Sequence, residues 1–342
     1  MNERYSRQML FQPIGPSGQQ KLSNSRVVIV GMGALGTVLA NHMVRAGIGY
    51  VRIIDRDYVE WSNLQRQMLY EESDAQGMVP KAEAAAARLR LINREITIDA
   101  HVADLNSWNA EELLGGTDLI LDGSDNFGVR FLINDVAVKH NIPWIYGGAV
   151  STRGVSQTII PGKTPCLRCL FGDASGQTNT DTCDTIGVLG PIIHVIASRQ
   201  SIEALKWLTG NESAMDLRLW QTDLWTNQAG SIDTSTAKNA DCLTCARHQF
   251  DFLEQSVSGN WTQSLCGRNS VQVNPPLSSN IDLEQFEQIW KALGETERNP
   301  FLLRLHLPEH ITLVLFKDGR LLVQGTSDLL RARSLYSRYV GN

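Results

Sequence analysis

Residues 26–36 read RVVIVGMGALG, and the fold is decided there. A β-branched apolar run breaks into glycines and passes into TVLANHMVRAG (37–47), whose apolar residues recur at helical spacing, so the stretch reads strand, turn, helix. YVRIID (50–55) is a second strand, and Arg26 to Asp55 has about the 30-residue length of a βαβ crossover, which makes the sheet parallel. Further out, KAEAAAARLRLIN from Lys81 is helical, TIDAHVA a strand, NAEELL a short helix and DLILDG a buried strand. FGVRFLINDVAVKH returns to a helix, PWIYGGAV to a strand, and GVSQTIIP adds one more strand at the end of the wound sheet. The alternation predicts a doubly wound, Rossmann-like α/β domain.

At 342 residues the chain exceeds one hydrophobic core. A large domain is expected over 1–248 and a small α+β domain over 249–342, because the pattern changes near Phe250 to PP (275–276), the helix DLEQFEQIWKALG, the strand FLLRLHLP, the hairpin ITLVLFKDGRLLVQG turning at Asp318-Gly319, and the helix SDLLRARSLYSRY. Between the two, HVIASRQSIEALKWLTG is a helix ending at Gly210, DLRLWQTDLWTN is strand-like, and GDASGQTNTDTCDT (172–185) is expected to be an exposed, mobile loop. The net charge of -5 and the lack of a basic run exclude a broad nucleic-acid footprint. MNERYSRQML lacks the apolar stretch of a secretory signal, so a cytoplasmic location is expected. The longest apolar segment, 186–198, contains Pro191 and His194 and is shorter than the roughly 20 residues of a membrane span, so no membrane association is expected. In an unexported chain the six cysteines are thiols, to be read first as metal ligands or catalytic groups.

GMGALG (31–36) sits between strand and helix with Asp55 about 20 residues on, the context of a nucleotide site: glycines let the backbone approach a phosphate at a helix N-terminus, and an acid holds ribose hydroxyls. A tight turn that packs helix on sheet needs the same glycines, and the motif alone does not choose among NAD, FAD and ATP. DRDYVEWSNLQRQ, continuing from Asp55, groups Asn63, Arg66 and Gln67, and Lys81 opens the next helix. Cations beside a nucleotide suit a triphosphate, whose charge must be neutralised, although Arg66 also reads as a solvated loop charge and Lys81 as a helix-opening lysine. DGSDNFGVR carries Asp122, Asp125, Asn126 and Arg130 to the same sheet edge, where Asp125 is either a carboxylate for magnesium or the N-cap of the following helix. Cys166-Leu-Arg-Cys169 and Cys242-Leu-Thr-Cys245 supply four thiolates on two knuckles, a closed tetrahedral zinc site whose halves meet only through the fold. His248 reads as a surface histidine, Cys266 as a small apolar strand residue, and Cys183, alone in its loop beside Asp184, as either a nucleophile or incidental.

Together RYSRQ (4–8), GMGALG, DRDYVEWSNLQRQ, PKAEA around Lys81, DGSDNFGVR, the two C-x-x-C pairs and TCDTIGVLGP resemble the ThiF/MoeB family, relatives of ubiquitin-activating enzymes, from Arg4 to about Cys245. The resemblance implies ATP-dependent adenylylation of the C-terminal Gly-Gly carboxylate of a ubiquitin-like sulfur-carrier protein, with magnesium. Carried over by match, Gly31, Gly33, Ala34 and Gly36 line the phosphates, Asp55 holds the ribose, Asn63, Arg66 and Lys81 contact phosphates, and Asp125 is the magnesium-side carboxylate. Ala34 replaces a glycine of many relatives at a position that acts through its backbone. Arg7 is similar to an arginine lent to a neighbouring subunit's site, which implies a homodimer. Cys183 resembles a loop cysteine that, in the thiamine branch, takes the activated carrier covalently; in the molybdopterin branch it is dispensable. The carrier is thus ThiS-like or MoaD-like, and the tail, similar to that of longer Bacillus-type members, favours ThiS. The tail shows no rhodanese loop, so a separate sulfurtransferase is the expected partner for sulfur transfer. Two other functions stay open on the residues: a NAD-dependent Rossmann oxidoreductase, which leaves Arg66, Lys81 and the knuckles without a task, and a non-catalytic scaffold for a ubiquitin-like protein.

Overall fold

β1 (Arg26–Val30) is buried at every position after the first, and its side chains alternate between two cores, Val27 and Ile29 in one and Val28 and Val30 in the other. A strand buried on both faces belongs inside a parallel sheet covered by helices. β2 (Tyr50–Asp55) pairs parallel on one side of it and carries β3 (Thr97–Val102); β4 (Leu119–Asp122) pairs parallel on the other side and carries β5 (Trp144–Val150). The computed structural model describes residues 3–172, 186–254, 262–265, 269–274 and 281–341; Cys183, Cys266, Pro275, Pro276 and most of the 172–185 loop lie outside them.

β6 (Arg153–Ile159) runs antiparallel to β5, not parallel as a continued winding requires, because only Ser151 and Thr152 connect them and a parallel pairing needs a crossover of a dozen residues or more. β7 (Leu219–Asp223) and β8 (Gln228–Ile232) extend that edge, giving the order β3-β2-β1-β4-β5-β6-β7-β8. β8 is largely exposed and has no apolar alternation to announce it in the sequence.

The helices of this unit are α1 (Ser6–Met9), α2 (Gly15–Asn24), α3 (Ala34–Ala46), α4 (Glu72–Gln76), α5 (Lys81–Ile92), α6 (Ala110–Leu114), α7 (Phe127–Lys139), α8 (Leu167–Phe171), α9 (Gly190–Thr209) and α10 (Asp251–Glu254). α3, α5 and α9 cover one face of the sheet and α6 and α7 the other. None of the described helices is long and apolar enough to cross a membrane.

The chain divides into two compact units, Met1–Gln255 and Ser256–Asn342. The first continues past the expected boundary at residue 248, because Phe252 of α10 stacks on Phe131 of α7, ring centroids 4.9 Å apart. The second unit is an antiparallel sheet of β9 (Thr262–Leu265), β10 (Ser270–Val273), β11 (Glu295–Arg298), β12 (Leu302–Leu307), β13 (Ile311–Phe316) and β14 (Leu321–Gln324), in the order β11-β12-β13-β14-β10-β9. α11 (Leu283–Trp290) and α12 (Leu329–Tyr339) pack on its Leu303–Leu313–Val323 face around the buried Trp290. The β13–β14 turn falls at Asp318-Gly319 as the sequence predicts, with Gly319 at φ +86°.

Candidate active site

The carboxyl ends of β1, β2 and β4 meet where the chain reverses its winding, the position at which open α/β sheets place ligands. Gly31 turns there at φ +86°, its N–H donating to Ile54 O at 2.8 Å. The glycines of the turn have different reasons to be glycine. A Cβ on Gly36 would lie 1.8 Å from Gly31 O and one on Gly123 would lie 2.6 Å from the same oxygen, so these two are demanded by packing of α3 on β1 and β4. A Cβ on Gly33 would meet nothing closer than Gln67 Nε2 at 3.9 Å, so Gly33 keeps space open at the first turn of α3, beside Ala34. Asp55 closes the floor: Oδ2 accepts the Met32 N–H at 2.6 Å and Oδ1 the Asp57 N–H at 2.7 Å. Burial pushes its carboxyl above the usual range, opposed by the charge of Lys81.

The segment after Asp55 folds back over this turn. Asn63 is buried, its Oδ1 accepting the Glu60 N–H at 3.0 Å in a capping box around a single 3₁₀ turn. Arg66, half-buried, donates only to Ser62 O, at 2.9 Å, and has no carboxylate partner among the described residues. Lys81 does open α5, but its side chain is only 4% exposed and its Nζ lies 3.3 Å from Asp57 Oδ2. The Tyr70 hydroxyl ties the layers together by donating to Met32 O at 2.5 Å, with Lys81 O at 3.2 Å.

At the end of β4 the polar residues of DGSDNFGVR take different jobs. Asp122 is fully buried and spent on structure, taking Arg130 Nε at 2.9 Å through Oδ2 and the Ser124 N–H and hydroxyl at 2.9 and 2.6 Å through Oδ1. Asp125 is not the helix cap. Asn126 caps α7, its Oδ1 accepting from Gly128 N at 2.7 Å and Val129 N at 3.3 Å. Asp125 is left exposed, with no hydrogen-bond partner among the described residues, which is the condition a carboxylate needs to meet a hydrated cation.

The two C-x-x-C pairs do meet. Cys166 Sγ lies 3.6 Å from Cys242 Sγ and 3.9 Å from Cys169 Sγ, Cys169 Sγ lies 3.5 Å from Cys245 Sγ, and all four sulfurs fall within 4.8 Å of one another. Tetrahedral zinc with Zn–S of about 2.3 Å has sulfur–sulfur edges of about 3.8 Å, so the donor set fits that ion. Burial pushes the Cys166 thiol up and the Cys245 thiol up to about 12, while hydrogen bonds within the cluster hold the Cys242 thiol below its ordinary value against burial. His248 is exposed and stands outside the cluster. α7 holds both knuckles: Asn134 Oδ1 accepts the Leu167 N–H at 2.8 Å, and Asp135 accepts from Thr244 Oγ1 at 3.1 Å and Phe252 N at 2.9 Å.

Burial pushes the Asp135 carboxyl up to about 6 against those bonds. A group bound more tightly by protons in the folded state stabilises less as pH rises, so stability falls between about pH 4 and pH 6, by up to on the order of 3 kcal/mol. Asp135→Asn is expected to remove that slope in urea unfolding across the same pH range; an identical slope in both proteins would refute the assignment.

Residues 5–244 match the ThiF family. The chain belongs to the ThiF family. The sulfur carrier protein ThiS adenylyltransferase of Bacillus subtilis is 45% identical over 100% of both chains, and the SAMP-activating enzyme E1 of Haloferax volcanii is 36% identical over 74% of this chain and 92% of its own. A crystal structure of E. coli MccB with ATP superimposes with a TM-score of 0.62 at 25% identity, covering 71% of this chain and 75% of MccB.

Arg7 stands apart from the rest of the ThiF-type site. Gln8, next to it on α1, donates through Nε2 to Ala46 O at 2.9 Å, at the far end of α3 from the glycine turn, about 20 Å along a 13-residue helix. Arg7 is exposed and has no partner among the described residues. Sequence reasoning missed Asp57 as the counter-ion of Lys81 and Tyr70 as the strut under Met32, because neither lies in a spacing that announces its role.

Proposed function

We propose that this ThiF-family protein uses ATP to adenylylate the C-terminal carboxylate of a ubiquitin-like sulfur carrier of the ThiS type, releasing pyrophosphate. The end-to-end 45% identity to the Bacillus subtilis ThiS adenylyltransferase carries the reading. A carboxylate oxygen of the carrier's terminal glycine attacks the α-phosphorus, the bond from that phosphorus to the bridging oxygen breaks, and pyrophosphate leaves with the electron pair.

In this reading the backbone at Gly31, Gly33, Ala34 and Gly36 receives the phosphates at the N-terminus of α3. Asp55, whose oxygens each retain a lone pair beyond the backbone N–H they accept, takes the ribose hydroxyls. Asn63, Arg66 and Lys81 contact the phosphates, the two cations opposing the charge that gathers on the departing pyrophosphate. Asp125 is the carboxylate for magnesium, which supplies charge neutralisation and orientation of the phosphates when bound. Arg7 serves the site of a second subunit in a homodimer, and its distance from its own glycine turn supports that assignment. Cys166, Cys169, Cys242 and Cys245 hold structural zinc. The Cys183 thiolate attacks the carrier's acyl-adenylate carbonyl, forming a thioester as the acyl–phosphate bond breaks and AMP leaves, a separate sulfurtransferase supplies the sulfur, and the reaction runs in the cytoplasm. An NAD-dependent oxidoreductase would leave the uncommitted Arg66 and Asp125 without purpose.

Purified protein with magnesium and labelled pyrophosphate should exchange label into ATP when a ThiS-like carrier is added and far more slowly with a MoaD-like one. Silence with both carriers would defeat the proposal, and exchange with the MoaD-like carrier alone would move it to the other pathway. Gly33→Ala gives a second test: its Cβ has room, so unfolding should shift by no more than about 3 °C, while ATP binding weakens about tenfold because the methyl occupies the phosphate approach. Calorimetric titration with ATP on a protein of unchanged melting temperature reads both effects.

A further inference from the structure

The other buried carboxamides described in this unit each make at least one hydrogen bond. Gln200, fully buried, donates through Nε2 to Asp122 O at 2.8 Å and Ile145 O at 3.0 Å, bridging β4 to β5, although its Oε1 has no partner. The Gln67 side chain makes none. It is 3% exposed, its Oε1 is enclosed with no hydrogen-bond partner, and no described residue bonds its Nε2. The side chains of the two residues bonded to its backbone are already engaged: Asn63 Oδ1 holds the Glu60 N–H, and Tyr70 donates to Met32 O.

The placement of this amide gives it a use. It stands 3.9 Å from the position a Cβ would take on Gly33, the glycine of the turn that close packing does not require. The space that Gly33 keeps open therefore has a buried, unanswered carboxamide as its wall, at the first turn of a 13-residue helix. Enclosing an amide without partners is costly, so one kept there is one that a ligand completes.

We infer that Gln67 is a nucleotide-binding residue whose carboxamide takes up the phosphate chain of ATP in the space beside Gly33, an inference that rests on the adenylyl-transfer reading above. Nε2, the end that borders the open space, donates to an anionic phosphate oxygen that the nucleotide brings, while Oε1 stays enclosed. The amide adds a directed donor without a further positive charge.

The test is calorimetric binding of ATP with magnesium, and of adenosine, to the wild type and to Gln67→Leu, Gln67→Glu and Gln67→Asn, with thermal unfolding as the check on folding. Adenosine lacks phosphate, so its affinity should stay within about twofold in all four proteins. ATP should bind about tenfold more weakly to Gln67→Leu and Gln67→Asn, and about a hundredfold more weakly to Gln67→Glu, whose carboxylate faces the phosphates. The Asn variant keeps the amide but withdraws it by one methylene, so it answers the question even where the larger changes disturb folding. ATP affinity unchanged in the folded variants, or ATP and adenosine weakened in parallel, overturns the inference. Failure of the wild type to bind ATP at all overturns the adenylyl-transfer reading itself, and the inference with it.

Discussion

Arg66→Ala should lower carrier-dependent ATP–pyrophosphate exchange about a thousandfold while leaving thermal unfolding within about 2 °C of the wild type. Both halves follow from how little else Arg66 does. Its guanidinium makes a single hydrogen bond, to Ser62 O, and no described carboxylate claims it, so removing it takes away little folding energy. A guanidinium stabilising charge that develops only as the α-phosphorus bond breaks is worth two to three orders of magnitude in rate. Asp125→Ala belongs to the same experiment, since Asn126 and not Asp125 caps α7 and the loss should again be kinetic. Lys81→Ala is less clean. Its buried ammonium faces Asp57 and lowers the proton affinity of Asp55, so deleting it leaves carboxylates without their counter-charge and mixes instability with lost catalysis. Normal exchange in folded Arg66→Ala and Asp125→Ala proteins would rule out the assigned chemistry.

Metal analysis of freshly reduced protein should find about one zinc per chain, and stripping that zinc, or replacing Cys242 by serine, should lower the melting temperature by about 10 °C or more. The four sulfurs already lie at spacings a tetrahedral ion spans, and the contacts join residues 76 apart in sequence, so the ion closes a long loop. Cys166 and Cys242 sit in the same core as Phe131, Phe250 and Leu253, and loss of the ion would loosen that packing and not only the knuckles. An unaltered melting curve after complete chelation would show the cysteines to be ordinary buried thiols.

Much of the first unit was legible because its signals are local. The β-branched run before Gly31, the helical spacing after it and the acid at the end of YVRIID each follow from chain geometry within about 30 residues. The two C-x-x-C pairs were legible by chemistry although distant in sequence, since four thiols are otherwise poorly accounted for. What sequence could not supply was who competes for whom. Asp125 and Asn126 are neighbours with the same capping ability, and only the backbone at the end of β4 decides that Asn126 reaches Gly128 N and Val129 N. The reversed direction of β6 was hidden for a similar reason: GVSQTIIP reads alike either way, and the two-residue link before it decides. Gln67 carried no pattern at all; its interest lies in the absence of a partner, which is a property of the folded surroundings.

α7 begins beside Asp125 and, about 12 Å further along its axis, grips one cysteine knuckle with Asn134 and the other with Asp135. In the proposed reaction one rigid rod therefore carries the magnesium-side carboxylate at its tip and the four-cysteine cluster at its waist. Catalytic competence and metal content should accordingly decline together when the protein ages, is oxidised or is starved of metal. A substitution in a knuckle would present itself as an enzyme defect long before the protein visibly unfolds.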